Sequence, residues 1–400
     1  MKSLVCFICA AAMILLTATG AAATESASVF SFDYAFEEYW YDEDVPAALT
    51  GDFPVKSALL MEADSGRILY SLNENKPLPI ASVTKVMVML LIMEAVDVGR
   101  ISMDDEVTVS DRAASMGGSQ VYLEPGERMS VAELFKCLVV VSANDASVAL
   151  AEHIYGSEDS FILAMNERAE ELGMKNTHFV NTTGLDEDGH YSSALDVALV
   201  TRELLKHEKV LEYTTIWMDT IRNGAFGLAN TNKLIRFYPG ANGMKTGYTT
   251  DAKYCLSGTA CRDGMTLIAV VLGGERSDER FATAKTMLDY GFANYRVYTP
   301  EKPYIEPIRV QRGVYDSCEL EYESFSLLLE KGKEAKIEQR VVVEPFLTAP
   351  VEKGTVAGYL ECLVDGELEV KVPLYTVNEN PQIGFGDIFT RVLKKLLAFA

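Results

Sequence analysis

Ser82 and Lys85 stand three residues apart inside the apolar stretch PLPIASVTKVMVML, residues 77–90. On a helix this spacing brings two side chains onto one face, where they can touch. A serine hydroxyl becomes a strong nucleophile only when a base removes its proton. A lysine can be that base when burial or a nearby positive charge destabilises its ammonium form. The pair therefore predicts an activated nucleophile, with a helix-capping serine followed by a snorkelling lysine as the alternative.

Two further polar groups follow along the chain. Ser142 and Asn144, with Asp145 beside them, end the apolar run of VVVSANDASVAL, although all three residue types also cap helices. The Lys-Thr-Gly of residues 245–247 begins a predicted strand in GANGMKTGYTTDAKYCL, where glycines also suit an ordinary turn. Ser-x-x-Lys, Ser-x-Asn and Lys-Thr-Gly, in this order and about 60 to 100 residues apart, form a set shared by class A β-lactamases and penicillin-binding proteins.

The elements that must position these groups form one predicted α+β domain, roughly residues 50–298. SALLMEADSGRILYSLN alternates apolar and polar residues around a turn signal and predicts a hairpin. Apolar residues recur with a helical period at 82–98, 131–152 and 158–172. YCLSGTACRDGMTLIAVVLGG predicts two strands joined by a turn at residues 262–264, and RFATAKTMLDYGFANY predicts a closing helix.

The flanking sequence predicts export and a second domain. A basic Lys2, the apolar LVCFICAAAMILL and the small residues of GAAATES predict a signal peptide over residues 1–23, with a transmembrane anchor as the alternative. The apolar run is short for spanning a bilayer. Residues 24–49 read as an acidic, poorly structured lead-in. Short Val, Ile, Leu and Tyr runs separated by turn residues predict a small all-β domain over residues 299–380.

Residues 381–400 predict an amphipathic helix lying on a membrane surface. Its apolar residues recur at spacings of three and four: Phe385, Ile388, Phe389, Val392, Leu396 and Phe399. Its charged residues are Arg391, Lys394 and Lys395 against Asp387, in a chain of net charge −22. This local reversal of charge favours anionic lipid, and the interrupted run is too short to span. A helix packed on the β domain is the alternative.

Composition argues against other classes of function. With 36 Lys and Arg against 58 Asp and Glu, the chain lacks the basic footprint that nucleic-acid binding needs. It carries neither a phosphate-binding loop nor a dinucleotide fingerprint, and its four histidines show no zinc spacing. No metal or cofactor is therefore predicted. Five cysteines follow the signal peptide, an odd number, and a Cys255–Cys261 link stays open.

From about residue 50 to 298 the chain resembles a low-molecular-weight penicillin-binding protein of the D-alanyl-D-alanine carboxypeptidase family, which is serine-type and peptidase S11-like. The strings that carry the resemblance are ASVTK, SANDA, FVNTTGLDEDGHYSSALDVALV, NTNKLI, GMKTGYT and VVLGG with a following Arg. The β-rich second domain and the basic tail are also similar to that family's layout. The resemblance implies a β-lactamase/transpeptidase-like domain of helices and antiparallel sheet, then a small all-β domain and an amphipathic C-terminal helix.

The resemblance also implies catalytic roles. Ser82 would attack the carbonyl of the penultimate D-alanine, with Lys85 as its base. Ser142 would relay a proton towards the leaving amine, and Asn144 would hold the substrate's backbone amide. The backbone N–H groups of Ser82 and Tyr248 would form the oxyanion hole. Tyr248 stands where some family members carry histidine, which leaves this backbone donor intact.

Binding roles follow from the same resemblance. Lys245, Thr246 and Thr249 would face the substrate's terminal carboxylate, and Arg280, six residues after Gly274, matches a family arginine serving that end. Gly247 would let the strand edge approach the ligand backbone. His190, in GHYSS, matches a family string but is given no catalytic role.

The implied function is removal of the terminal D-alanine from peptidoglycan stem pentapeptides through an acyl-enzyme that penicillins also form. The enzyme would act at the outer face of the bacterial cytoplasmic membrane. A β-lactamase is one alternative, but no Glu-x-x-Leu-Asn string for a water-activating glutamate stands between residues 142 and 245. A catalytically silent envelope scaffold is another, against which the intact Ser82, Lys85 and Lys245 argue.

Overall fold

The computed structural model describes residues 29–32, 49, 52–333 and 335–398. The predicted signal peptide lies outside these residues. The chain divides into two compact units. The first unit takes its residues from Trp40–Thr299 and Ser326–Lys333, and the second unit from Met1–Tyr39, Pro300–Phe325 and Glu334–Ala400.

Strands and helices are numbered along the whole chain. The first unit contains the strands β2 (Ser57–Glu62), β3 (Ile68–Leu72), β4 (Glu106–Thr108), β5 (Arg128–Ser130), β6 (Met218–Ile221), β7 (Phe226–Ala229), β8 (Ala241–Thr249), β9 (Lys253–Arg262), β10 (Met265–Gly274), β11 (Tyr295–Tyr298) and β15 (Leu327–Glu330). Its helices are α1 (Lys85–Asp97), α2 (Asp111–Ala114), α3 (Val131–Val140), α4 (Asn144–Tyr155), α5 (Glu158–Glu171), α6 (Ala194–Leu205), α7 (Leu211–Thr214), α8 (Leu234–Phe237) and α9 (Ser277–Asn294), with 3₁₀ turns at Ala81–Thr84 and Glu208–Val210.

The first unit is built on an antiparallel five-stranded sheet in the order β3-β2-β10-β9-β8. Both faces of this sheet are buried, which explains the continuous apolar run of β10. Successive side chains of β10 alternate between two cores. Those facing α9 are Leu267, Ala269 and Val271, and those facing the helical region are Ile268, Val270 and Leu272.

The local predictions for the sheet are largely confirmed. The predicted hairpin is β2 and β3, and the predicted strand pair is β9 and β10. The turn that joins β9 to β10 has positive φ at Asp263 (50°) and Gly264 (77°), as a tight hairpin turn requires. The predicted closing helix is α9. Residues 245–247 were expected to begin a strand. They lie instead inside β8, which pairs with β9.

The helix predicted over 131–152 is wrong as a single element. Helix α3 ends at Val140, and α4 begins at Asn144. Between them Ser142 adopts φ +64°, a left-handed conformation that an α-helix cannot include. The apolar period continues across this break, so the sequence pattern conceals it.

The second unit is predominantly β-structure, as predicted for residues 299–380. Its strands are β1 (Val29–Phe32), β12 (Ile308–Gln311), β13 (Ser317–Cys318), β14 (Leu320–Glu321), β16 (Ile337–Val343), β17 (Leu347–Thr348), β18 (Val356–Val364) and β19 (Glu367–Thr376). They form one sheet in the order β1-β16-β18-β19-β14 and another in the order β13-β12-β17.

Two strands depart from the expected organisation. Strand β1 lies in the acidic lead-in, expected to be poorly structured, and pairs antiparallel with β16. Strand β15 lies within the predicted β domain but pairs with β11 of the first unit. Its Leu328 is buried in the core beside α9.

The predicted C-terminal helix is α10 (Phe385–Ala398). Exposed apolar side chains follow its described part: Phe385, Ile388, Phe389, Val392, Leu393 and Leu397. None of the helices among the described residues combines the length and apolar character needed to cross a bilayer.

The Cys255–Cys261 link, which the sequence left open, does not form, and both thiols are free. Both residues lie on β9, six residues apart along one extended strand. At about 3.3 Å per residue they are roughly 20 Å apart, far beyond the reach of a disulfide.

Candidate active site

The nucleophile candidate Ser82 lies in the 3₁₀ turn Ala81–Thr84 that leads into α1. Ala81 has a positive φ of 49°, and its carbonyl accepts a hydrogen bond of 2.8 Å from the Thr84 hydroxyl. His190 supports this hydroxyl from behind, with Nε2 2.7 Å from Thr84 Oγ1. Because His190 Nδ1 accepts from the backbone N–H of Val180 at 3.2 Å, Nε2 carries the proton. Burial lowers the pKa of His190 to about 4 and keeps the ring neutral.

Lys85 is fully buried at the start of α1. Its Nζ lies 3.2 Å from Ser82 Oγ, 2.6 Å from Asn144 Oδ1 and 2.7 Å from the carbonyl oxygen of Thr183. No carboxylate is among these hydrogen-bond partners. Burial, followed by the positive charge of Lys245, holds the pKa of Lys85 well below its ordinary value, against an opposing effect of Asp145.

The break between α3 and α4 places the Ser-x-Asn motif at the site. Asn144 is the first residue of α4, and its Nδ2 donates to Gly117 O at 2.7 Å, which leaves Oδ1 facing Lys85. Ser142 is 4% exposed, and its hydroxyl has no hydrogen-bond partner within the described residues. Asp145 is buried behind them and accepts the backbone N–H groups of Val121 and Leu123 at 3.0 and 3.1 Å.

Sequence reasoning gave no role to the Thr183 carbonyl, which accepts hydrogen bonds from both Lys85 and Ser82. Asn181 shapes the loop that presents it, because its Oδ1 accepts from the backbone N–H groups of Thr183 and Gly184. The turn composition Asn-Thr-Thr-Gly was a visible signal for such a loop. Nothing in the pattern indicated that its carbonyl would meet Lys85.

Strand β8 brings the Lys-Thr-Gly motif against the nucleophile turn. A Cβ atom on Gly247 would lie 2.8 Å from Ile80 O and 3.0 Å from Ser82 N, so this approach requires glycine. Lys245 is buried, and burial followed by the charge of Arg280 lowers its pKa to about 7. The hydroxyls of Thr246 and Thr231 lie 2.6 Å apart.

The remaining predicted residues lie around the end of β8. Arg280, on α9, is 7% exposed and donates from Nη1 to the carbonyl oxygens of Gly247 and Cys255 at 2.8 and 3.1 Å. Tyr248 is exposed. The Thr249 hydroxyl donates to a carboxylate oxygen of Asp186 at 2.5 Å, so in this structure its proton is not available to a substrate carboxylate.

A cavity of about 390 Å³ lies beside the turn, between it and residues 184–191. No group of three or more His, Cys, Asp or Glu side chains suited to a metal occurs in the described ranges.

Comparison with known proteins places this geometry in a family. A family model described as D-alanyl-D-alanine carboxypeptidase matches residues 44–276, more than half of the chain. The chain belongs to the D-alanyl-D-alanine carboxypeptidase family. A second model, the C-terminal domain of penicillin-binding protein 5, matches residues 311–382.

Individual relatives agree with this assignment. D-alanyl-D-alanine carboxypeptidase DacF of Bacillus subtilis is 44% identical over 345 residues, covering 84% of this chain and 89% of the relative. The structure of penicillin-binding protein 5 from Haemophilus influenzae is 30% identical with a TM-score of 0.72, covering 84% of this chain and all of that one. Penicillin-binding protein D2 of Listeria monocytogenes, in an ampicillin-bound form, is 33% identical with a TM-score of 0.56, covering 61% of this chain and 99% of that one.

Membership confirms the expected fold class and enzyme class. The chain is a serine-type hydrolase, a D-alanyl-D-alanine carboxypeptidase of the penicillin-binding protein family with a cell-wall function. The roles of the individual site residues remain predictions.

Gly184 should be essential to the shape of the nucleophile turn. A Cβ atom there would lie 1.9 Å from Ala81 O, at a φ of +79°. Gly189, on the same loop, has φ +87°, but a Cβ atom there would make only ordinary contacts, with its nearest neighbours 3.8 Å away. Gly189→Ala should cost about 1 to 2 kcal/mol of backbone strain, whereas Gly184→Ala should cost at least about 2 kcal/mol more. Denaturant unfolding of both variants tests this, and equal losses would contradict it.

Proposed function

We propose that this enzyme releases the terminal D-alanine of peptidoglycan stem pentapeptides through an acyl-enzyme on Ser82. The observation that carries the proposal is the hydrogen-bond set of Lys85. A neutral amine has two N–H donors and one lone pair. Asn144 Oδ1 and Thr183 O are both acceptors and take the two donors. The lone pair is then left for Ser82, whose Oγ lies 3.2 Å away and whose hydroxyl proton turns from the Thr183 carbonyl to Lys85 Nζ.

Acylation then follows from the groups around this pair. As Ser82 Oγ bonds to the carbonyl carbon of the penultimate D-alanine, its proton passes to Lys85. The backbone N–H groups of Ser82 and Tyr248 stabilise the oxyanion. As the C–N bond breaks, Ser142, whose buried hydroxyl has no partner among the described residues, donates its proton to the leaving amine and takes up the proton held by Lys85, which returns to its neutral form.

Substrate binding uses the open edge of β8. An extended peptide pairs along this edge strand. Asn144 Nδ2 has two N–H donors, of which one is used by Gly117 O, so the other binds a substrate carbonyl. Lys245 and Thr246 face the free carboxylate, because a terminal carboxylate calls for a cation and hydroxyl donors. This places cleavage one residue from the chain end.

Deacylation distinguishes peptides from penicillins. Water hydrolyses the D-alanyl ester once the departed D-alanine has opened a path to it. A penicillin offers a carboxylate and a strained amide, but its ring stays attached after acylation and obstructs water. The penicilloyl-enzyme is therefore long-lived, and the ampicillin-bound relative is consistent with such binding.

Release of D-alanine from a pentapeptide ending in D-Ala-D-Ala tests the reaction. The wild-type enzyme should release D-alanine, and Ser82→Ala, which removes one hydroxyl, should fold but neither release D-alanine nor bind fluorescent penicillin covalently. Amidating the substrate's C-terminus should cost most of kcat/KM. Rapid, repeated penicillin hydrolysis without D-alanine release would favour a β-lactamase, and a protein inert in both assays would favour a scaffold.

The pH dependence of acylation should depend on Lys245. Acylation needs neutral Lys85, so its rate should rise with pH as Lys85 loses its proton. Because the charge of Lys245 lowers the pKa of Lys85, Lys245→Gln should raise that pKa and move the rise to higher pH. Lys245→Arg keeps the charge and should leave the rise near its wild-type midpoint. Acylation rates with a fluorescent penicillin measure this, and an unmoved midpoint in Lys245→Gln would refute it.

We further propose that the exported enzyme is held on the outer face of the cytoplasmic membrane by α10. Exposed apolar side chains on one helix face suit an interfacial helix. The N–H of Ile383 still donates to the carbonyl of Arg312 in the second unit, so a cut after Ile383 leaves that unit's pairing intact.

Truncation after Ile383 should release an active enzyme from the membrane. The full-length protein should sediment with phosphatidylglycerol vesicles more than with phosphatidylcholine vesicles, and the truncated protein with neither. Replacing Phe385 and Phe389 by serine keeps the basic residues and isolates the apolar contribution. Vesicle binding by the truncated protein would show that α10 is not the anchor.

A further inference from the structure

Arg280 makes its hydrogen bonds to backbone carbonyl groups of the sheet. Its Nη1 donates to the carbonyl oxygens of Gly247 on β8 and Cys255 on β9, at 2.8 and 3.1 Å. The guanidinium carbon lies 5.1 Å from the ring centroid of Tyr254 and 4.8 Å from that of Phe281, which restrict its movement. Burial lowers the pKa of Arg280 to about 10, so the group stays charged at neutral pH.

The Gly247 carbonyl belongs to the same peptide unit as the Tyr248 N–H. A trans peptide is planar, and its C=O and N–H point in opposite directions. Because Arg280 Nη1 reaches the Gly247 and Cys255 oxygens together, the Gly247 carbonyl faces the β9 side. The Tyr248 N–H then faces the open edge of β8, on the side of the nucleophile. A Cβ atom on Gly247 would lie 3.0 Å from Ser82 N, so the Gly247–Tyr248 peptide lies close to the other proposed backbone donor of the oxyanion hole.

We propose that Arg280 is a positioning residue of the oxyanion hole, acting through the Gly247–Tyr248 peptide. A charge-assisted hydrogen bond to the carbonyl fixes the plane of this peptide and polarises it. Its N–H becomes a stronger and better aimed donor to the substrate oxyanion. This inference rests on the proposed acyl-enzyme function. It differs from the role in carboxylate binding that the family resemblance implies.

The two roles predict different substrate dependence. Two matched substrates distinguish the roles. The first is the thioester of an N-acylated D-alanine with thioglycolic acid. The second is the same thioester in which the carboxylate of the thioglycolate leaving group is a methyl ester. The first carries a carboxylate where the terminal D-alanine would, and the second does not. Thiol release measures kcat/KM for each.

Arg280→Gln keeps an amide donor but removes the charge. This variant should lower kcat/KM about 10- to 100-fold on both thioesters, a smaller loss than removal of an oxyanion-hole donor itself causes. Most of the loss should be in kcat. Arg280→Lys, which keeps the charge, should recover part of the rate on both. Thr246→Val is the matched control for carboxylate binding and should lower the ratio of acid to ester rates. A loss by Arg280→Gln confined to the acid thioester would overturn the inference.

A spectroscopic measurement separates this role from a general disturbance of the fold. Hydrogen bonds to the acyl oxygen lower the carbonyl stretching frequency of the acyl-enzyme. Infrared difference spectra with ¹³C-labelled penicillin should show this band at higher frequency in Arg280→Gln than in wild type, and near wild type in Thr246→Val. An unmoved band in Arg280→Gln would overturn the inference. If the wild-type enzyme cleaves neither thioester and forms no acyl-enzyme, the proposed function itself fails, and this inference with it.

Discussion

The structure depends on a lysine amine buried without a carboxylate among its hydrogen-bond partners. Burial favours the neutral form of an amine in such a place, and its two N–H groups then need acceptors. Lys85 finds them in Asn144 and in the carbonyl of Thr183. These two acceptors come from distant parts of the chain, the start of α4 and the loop that Asn181 shapes. The helical region can be understood as the scaffold that brings them to one point.

Backbone conformations that are rarely used by side-chain-bearing residues surround this amine. Ala81, immediately before the nucleophile, and Ser142, in the break between two helices, both have positive φ. Such conformations cost free energy and persist only where neighbouring groups determine them. The turn at Ala81 is held by the Thr84 hydroxyl and His190, and the break at Ser142 lies next to the buried carboxylate of Asp145. The free-energy cost of these conformations is offset by the neighbouring contacts, which hold the reactive groups in place.

The sequence predicted elements and residue types better than it predicted where one element ends. The turn signals between β2 and β3 and between β9 and β10, and the continuous apolar run of β10, are local features, so they were visible in the sequence. The break at Ser142 was concealed, because the apolar period of α3 continues into α4 and the left-handed conformation is imposed by tertiary contacts. The Thr183 carbonyl could not be predicted from a pattern of side chains, since every residue has a carbonyl. Likewise, nothing in the spacing of Arg280 indicated that it would bond to the backbone of Gly247.

Strand β15 belongs to the first unit but follows several strands of the second unit along the chain, so the two units are synthesised in alternating pieces. The end of α9 is completed by residues made later: the backbone N–H of Lys331 donates to Asn294 O at 2.7 Å and its Nζ to Phe292 O at 2.8 Å. Between α9 and Lys331 the ribosome must first produce β12, β13 and β14 of the other unit. Strand β1 is synthesised before the other described strands, and it can pair only after β16, near the opposite end of the chain, has been synthesised. Neither unit can therefore finish folding before synthesis of the other has begun, and late, long-range pairing of this kind slows folding.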